Sequence, residues 1–498
     1  MSFKGVKMDK MYEGYKKLKS SEIYKNYERN KKLFDGKSSE VFYNAVLSRV
    51  KLEYMGVIDS NNKYYEFVRE GNTIVRREKS FKDLIVGNNI LGSITKLYAE
   101  LASNSEPTVN LEDEKKDILE KIDLQDKTSE AVAIQSYGGK LLLKGFIVDN
   151  SLYLDIVAPH QYFTVPSILS EEIIDKYVIF TEEKRTLKAE IYSEGCTEYR
   201  MYKIGGQNFE EIDYEVDLTQ YGATKDGKGW KKVYKGWQVV EIHNLFKRSD
   251  YVEDLVILNR ELVVGDTLTS QAFDKVANPL LQVPEGALEY DEEGNLTVKI
   301  NDRVIIVDPE DKDLKQVELK TKTEEWKTHR TGIVEQIYIA TGTNEQAFGL
   351  NKNGTAASGE AKRRDLERII STVITKRDRV FSGFEKIVKW GYSIIHNSEL
   401  DITISGKDIL SLGVGEKIII AVQGITSGIL SIESAIKYVN IGDVDIDEEM
   451  TRLKSDLAYK TKLIEALQTL SQLDTEERVA GLIKKQADEL IEELGLNE

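Results

Sequence analysis

Cysteine is all but missing from this chain: Cys196 is the single one among 498 residues. No internal disulfide can form, which fits a reducing compartment, and no cysteine-rich zinc site can be built. Cys196 itself reads as a small buried or turn residue. Histidine is scarce as well. His160, His243, His329 and His396 stand far apart, in none of the spacings that hold zinc, and each reads as a packed or surface residue rather than a catalyst. No apolar run is long enough to span a bilayer, since the most apolar stretch, Ile418 to Leu430, is short and broken by glycine. The opening residues, MSFKGVKMDKMYEGYKK, lack an apolar core, so no signal peptide is expected. The chain therefore reads as neither secreted nor membrane-embedded. An excess of base is missing too. The 69 Lys+Arg stand against 85 Asp+Glu, a formal charge of −16, unlike proteins that clamp nucleic acid across their whole surface. A local basic patch remains compatible with that balance. So does a conduit, because an acidic wall repels phosphate and lets a duplex slide.

Three short motifs imitate chemistry and fail. Gly222-Ala223-Thr224-Lys225-Asp226-Gly227-Lys228-Gly229 ends in Gly where a P-loop needs Ser or Thr for Mg²⁺, and the following Trp230–Tyr234 reads as strand where a helix must open. It is read as a hairpin turn. Asp443, Asp445 and Asp447 begin like a calcium loop, but Glu448 replaces the required Gly and Lys454 the bidentate Glu. An acidic helix N-terminus explains them better. Gly424-Ile425-Thr426-Ser427-Gly428 has no Ser at its centre, so it is no nucleophile elbow. No metal, cofactor or catalytic residue is expected, and the chain reads as a non-enzyme.

What the sequence does contain is 41% hydrophobic and 31% charged residues, enough for a sizeable core divided into about two to four compact units. Ile90, Ile94, Leu97, Tyr98 and Leu101 fall near helical spacing within 85–103. From about 136 to 244 the period turns to two. Lys140–Val148 and Ser151–Val157 flank the hairpin signal Asp149-Asn150, and Leu187–Tyr192 and Thr197–Ile204 flank Ser193–Cys196. Val239–Ile242 closes this antiparallel region. Asp250 and Glu253 have capping-box spacing ahead of Leu255, Leu258 and Leu262, predicting a helix that ends before Pro279. Residues 284–320 read as short, acidic and β-like, with Leu296–Ile300 and Val304–Val307 flanking Asn301-Asp302-Arg303. A helix is predicted over Thr323–Ala340, then a loop, Thr341–Ala357, with three glycines and three asparagines, long enough to be functional or disordered. Ser358 is a plausible N-cap for the strongest helical pattern, Gly359–Ile395. There Leu366, Ile369, Ile370, Val373, Val380, Phe384, Ile387 and Val388 form one stripe. The opposite face reads as charged and carries Lys362, Arg363, Arg364, Arg368, Lys376, Arg377, Arg379, Lys386 and Lys389. Nine bases face five acids in this window, and a solvated face with i,i+4 pairs is the simplest explanation. Beyond residue 447, two apolar stripes such as Leu453–Leu457–Ile464 and Leu482–Ile483–Leu490 predict helices needing a partner.

The order of these parts resembles the portal proteins of long-tailed bacteriophages. The resemblance runs from about residue 10 to 470 and also touches Val157–Phe163, Asn278-Pro279-Leu280-Leu281 and Ile429–Ala435. It implies an α+β portal fold with wing, two-helix stem, β-containing clip, long tunnel helix and helical crown. The implied parts are an N-terminal wing at 1–248, stem helices at 249–283 and 323–340, and a clip at 284–322. A tunnel loop follows at 341–357, the long helix at 358–397, wing strands at 398–430 and the crown at 431–498. It further implies a ring of about twelve subunits at one capsid vertex of the virion, assembled in the host cytoplasm, passing double-stranded DNA without regard to sequence. Asn344, Gln346, Asn351, Lys352, Asn353, Lys362 and Arg363 would face the DNA channel. Glu292, Asp308, Glu310, Asp311 and Asp313 of the clip would dock the large terminase subunit and then the head–tail adaptor. The wing would meet the major capsid and scaffolding proteins. The loop departs from a strong electrostatic grip, since Lys352 is its only cation. Two rival readings are another head–tail ring component, and a nucleic-acid-processing enzyme, for which only the basic helix speaks.

Overall fold

Turn chemistry places the hairpin that the helical core packs against. Asp149 and Asn150 both adopt positive φ, 49° and 62°, the backbone that a two-residue hairpin loop requires. They join β4 (Lys140–Val148) to β5 (Ser151–Val157), paired from Leu142↔Val157 to Val148↔Ser151. The computed structural model describes residues 4–53, 63–70, 73–170, 172–205, 208–277, 281–284, 289–290, 296–297, 304–307, 315–316, 323–350, 359–407, 409, 414–439 and 485. It divides into one unit of Met1–Thr355 with Arg364–Ile409, and a second of Ala356–Arg363 with Leu410–Glu498.

In the first unit, the described helices α1 (Lys4–Ser20), α2 (Glu22–Phe34), α3 (Ser38–Val41) and α4 (Tyr43–Glu53) precede the sheets. A hairpin of β1 (Lys63–Glu70) and β2 (Thr73–Ser80) follows, then α5 (Ile90–Ala102), β3 (Thr108–Asn110) and α6 (Leu124–Gly138). Helix α6 opens on Asp123, whose side chain accepts from the Asp126 N–H, and closes on Gly139 at φ 84°, the left-handed C-cap that glycine takes without a Cβ penalty. After β4 and β5 come β6 (Tyr162–Pro166), β7 (Ile174–Glu183), β8 (Thr186–Ser193), β9 (Cys196–Ile204), β10 (Phe209–Ile212), β11 (Thr224–Asp226), β12 (Gly229–Val233) and β13 (Val239–His243). The larger sheet runs β11-β12-β9-β8-β7-β6, with β10 also on β9, and the smaller runs β13-β4-β5. The failed P-loop is indeed a hairpin turn, with Gly227 at φ 60° between β11 and β12. Cys196 sits in the turn that opens β9, half-buried, its Sγ 3.1 Å from Ser193 Oγ.

Period-two burial explains how the layers stack. Leu141, Leu142 and Leu143 are all fully buried. Leu141 and Leu143 face the helical core, whereas Leu142 joins Tyr162, Tyr192 and Val239 between the two sheets. Strand β4 is therefore covered on both faces. The outer face of the larger sheet is covered by α1, whose Met11, Tyr12, Tyr15 and Leu18 pack on Phe163, Phe180, Tyr202 and Phe209.

Two long helices leave the helical core and return to it. Helix α7 spans Glu253–Ala277 and α8 spans Thr323–Thr341, with β14 (Leu281–Pro284), β15 (Glu289–Tyr290), β16 (Leu296–Thr297), β17 (Val304–Val307) and β18 (Lys315–Gln316) between them. Asn301-Asp302-Arg303 lie outside the described residues. Residues 296–297 pair with β15, while β17 runs parallel to β14, which also takes β18. Helix α9 (Gly359–His396, 38 residues) then crosses the β13-β4-β5 sheet. Glycine allows the close approach: a Cβ on Gly383 would lie 2.6 Å from Ile242 Cδ1, and one on Gly145 2.8 Å from Ile387 Cγ2. The expected apolar stripe is inside, with Ile369, Val373, Val380, Phe384, Ile387 and Val388 buried. Strand β19 (Thr403–Ser405) pairs with β3.

In the second unit, residues expected as strands include a helix, α10 (Val414–Thr426). It packs Ala421 and Ile425 on Ala435 and Val439 of α11 (Ile432–Val439). The β-branched run Ile418-Ile419-Ile420 suggests strand locally, but the i,i+4 pair Ala421–Ile425 finds its partner only in a helix. The apolar stripes beyond 447, the Asp443–Asp447 motif and Ser358 lie outside the described residues.

Candidate functional site

The two long helices are joined at their root by a small residue under a large ring. Gly265 on α7 lies beneath the Trp326 indole of α8, where any Cβ would overlap the ring. Trp326 Nε1 donates to Asp266 Oδ1 at 3.3 Å, and Arg330 Nε to the same oxygen at 2.9 Å. Asp266 also accepts from Asn88 Nδ2 at 3.4 Å, tying the pair to the loop before α5.

The start of α7 is not capped as its sequence suggests. Asp250 and Glu253 do not form a capping box. The Asp250 carboxylate receives the Lys376 ammonium at 2.7 Å and Asn244 Nδ2 at 2.8 Å, while Glu253 pairs with Arg29 at 2.7 Å. Lys376 is the larger surprise. Sequence places it on a charged face, yet its side chain is 1% exposed. Its three protons go to Asp250 Oδ2, Asn244 Oδ1 (2.6 Å) and Ser136 Oγ (2.9 Å), so every donor has an acceptor. Burial pushes this ammonium below its ordinary value, and the Asp250 charge opposes that shift. Next to it, Arg377 is buried and donates to the Lys407 carbonyl at 2.9 Å. Arg379 donates to the carbonyls of His243 and Asn244 at 3.2 and 2.9 Å. Helix α9 therefore grips the segment between β13 and α7 from one side. Within that segment Phe246 and Lys247 hold φ of 56° and 53°, a left-handed backbone that costs non-glycine residues about 1–2 kcal/mol each. A period-3.6 pattern cannot reveal this cluster, since its members come from four separated stretches.

Beside it, the Glu241 carboxyl is mostly buried. Burial alone would raise its pKa, but hydrogen bonds and charge from His243 (3.2 Å) and Lys140 (2.8 Å) hold it down at about 2. The Tyr162 hydroxyl donates to the same carboxylate at 2.8 Å.

Of the residues expected to face a channel, Asn344 and Gln346 are fully described. They lie in a turn that closes α8 rather than in an open loop. Asn344 Oδ1 accepts from the Ala347 N–H at 3.0 Å, and a short 3₁₀ turn, Glu345–Phe348, ends on Gly349 at φ 74°. Phe348 stacks on Tyr338, and the Tyr98 hydroxyl donates to the Thr341 carbonyl at 2.5 Å. Gln346 is exposed, as is Leu350 at 58%. Lys362 and Arg363 are on the first turns of α9, and their side chains are outside the described residues. Asn351, Lys352 and Asn353 lie outside as well, as do Glu292, Asp308, Glu310, Asp311 and Asp313. Among the α9 cations with described side chains, Arg368, Arg379, Lys386 and Lys389 are exposed and Lys376 and Arg377 are not. Among the described residues there is no group of three His, Cys, Asp or Glu that could hold a metal, and no helix long and apolar enough to cross a membrane.

No protein-family model and no curated protein matches the chain. Solved structures align with it at low identity. One is the virion of a native gene transfer agent particle, 12% identical at a TM-score of 0.39, covering 71% of this chain and 89% of that one. Another is the neck of the empty particle computed with C6 symmetry, at 11% identity and a TM-score of 0.42, covering 72% and 91%. A third is the neck of the native particle computed with C12 symmetry, at 12% and 0.41, covering 71% and 89%.

Proposed function

We propose that this chain is the portal subunit of a tailed bacteriophage: a ring-forming, non-enzymatic conduit for double-stranded DNA during packaging, retention and ejection. One observation carries the reading. A 25-residue helix leaves the α/β body, small strands follow, a second helix returns, and a turn leads into a 38-residue helix lying across the core. This is the order of parts that the sequence resemblance names stem, clip, stem, tunnel loop and long helix. At 1.5 Å per residue α7 is about 37 Å long, enough to form a channel wall when copies stand side by side.

The chemistry suits passage rather than grip. Contacts to a moving duplex must go to phosphate and ignore sequence. In this reading the exposed amide of Gln346 and the scattered cations Arg368, Lys386 and Lys389 make bonds that form and break at little cost. The clip residues Glu292, Asp308, Glu310, Asp311 and Asp313 would receive the terminase motor, which supplies ATP hydrolysis, and afterwards the adaptor. Lys376 and Arg379 would fix the root of the stem to the long helix, so that a load on the stem is borne by the core.

Deleting Asn344–Asn353 tests the reading. Rings should still assemble, because the α7–α8 root and the Lys376 cluster are untouched, while packaged DNA should leak or packaging should stall. Wild-type packaging by this variant would remove the loop from the mechanism.

A further inference from the structure

Strand β13 is an edge. In the β13-β4-β5 sheet it pairs with β4 on one side alone. The phase of that pairing is fixed at both ends. The Gly145 N–H donates to the Gln238 carbonyl at 3.0 Å, and the Asn244 N–H to the Gly139 carbonyl at 3.0 Å. Antiparallel residues alternate between facing the partner strand and facing away from it. Val240 and Ile242 therefore direct their main-chain groups to β4, and Val239, Glu241 and His243 turn theirs outward. The His243 carbonyl is taken by Gln135 Nε2 at 3.1 Å and by Arg379 at 3.2 Å. The outward N–H and C=O groups of Val239 and Glu241, and the His243 N–H, have no partner among the described residues. No proline and no bulge interrupts the strand, although these are common means of blunting such an edge.

A groove of about 490 Å³ runs beside it. One wall is Val240 to His243. The other is a single stripe of α9, namely Thr375, Asp378, Arg379, Ser382, Gly383 and Lys386, spaced three and four residues apart. Both acids of the groove already face cations. Glu241 meets Lys140 at 2.8 Å and His243 at 3.2 Å, and Asp378 lies 3.8 Å from Arg377. Arg379 is held on main-chain carbonyls, and Lys386 has no carboxylate partner among the described residues. The charge left uncompensated in the groove is therefore positive.

We infer that β13 takes a further strand in this groove: a single extended segment of a partner protein, aliphatic with an acidic residue, hydrogen-bonded to Val239, Glu241 and His243. In such strand addition the main chain supplies affinity and the alternate side chains supply selectivity. Every second residue of the segment points toward α9. There an aliphatic side chain would complete the burial of Val240, which is half-buried, and the acid would meet Lys386. The edge of a second copy's sheet fits less well. Strand β5, the opposite edge, lies under the same helix, with Gly391 so close to Leu152 that a Cβ would come within 2.7 Å. A sheet brought edge-on by that strand would set its own α9 against this one. The inference is independent of the ring reading above.

Hydrogen exchange followed amide by amide tests it, with a blocked hexapeptide of alternating valine and aspartate as the probe. The peptide should slow exchange at Val239, Glu241 and His243 by about tenfold, roughly what one added hydrogen bond at each confers, and leave Val240 and Ile242 unchanged. The same peptide N-methylated throughout should have no effect. Lys386→Glu, at an exposed position, should weaken the plain peptide by about threefold, as for an exposed ion pair. No slowing at the outward amides, or equal slowing by the methylated peptide, would overturn strand addition. Outward amides that are already slow in the chain alone and quicken on dilution would put a second copy in the groove and overturn the choice of partner.

Discussion

Asp250→Ala strikes the joint between the start of α7 and α9. The substitution removes the counter-charge of a lysine that is 1% exposed and one of its three acceptors. It also strips Asn244 Nδ2 of its bond to Asp250 Oδ1. Breaking a buried ion pair from one side costs roughly 3–5 kcal/mol, because the remaining charge is stranded. Asp250 itself is 26% exposed, so water offsets part of that and the expected loss is near the lower end, about 3 kcal/mol. Asp250→Ala with Lys376→Met removes both charges, and the double variant should lie closer to the parent than the sum of the singles predicts, with a coupling of about 1–3 kcal/mol. The pH dependence has a definite sign. Burial lowers the folded-state pKa of Lys376 below 10.5, so the unfolded chain binds more protons in that window and stability rises with pH. Without Asp250 the counter-charge that opposes burial is gone and only the neutral acceptors Asn244 and Ser136 remain, so the folded value falls further, and the rise should be steeper and begin at lower pH. Urea unfolding followed by circular dichroism, repeated across the alkaline range, measures all of this. A single-variant cost below about 1 kcal/mol, or strictly additive singles, would refute the reasoning.

Two further outcomes are expected. Gly265→Val should force the Trp326 ring off α7 and destabilise the helix pair by about 1–3 kcal/mol through overpacking, read as faster hydrogen exchange in α7 and α8 with exchange in the β8–β9 hairpin unchanged. Reversing the charges at Asp308, Glu310, Asp311 and Asp313 should weaken docking of the terminase motor or adaptor, with a smaller effect at high salt, in a pull-down across an ionic-strength series; unaltered binding would remove the docking assignment.

Features written in adjacent residues were legible in the sequence. Asp149-Asn150 and Ser193–Cys196 mark their hairpins through local backbone preference, and the α9 stripe marks its buried face through periodicity. Features set by distant partners were not. Asp250 looks like a helix cap until Lys376, 126 residues later, claims its carboxylate. Lys376 and Arg377 look solvated because residue type says nothing of which acceptors the fold brings to them. Between α7 and α8 the strands at 296–297 and 304–307 fall in stretches legible as β-like, but β14, β15 and β18 and the pairing were not, because pieces of two to four residues carry too little pattern to fix a register. Asn344 was singled out for a channel, and its described contact is local, a cap on the turn that ends α8.

Electron microscopy of the purified chain bears most directly on the central proposition that copies of it close around an axial hole. Rings with a central channel, about as wide as a DNA duplex, are the predicted image. A compact particle without a hole, at any concentration that saturates assembly, would contradict it.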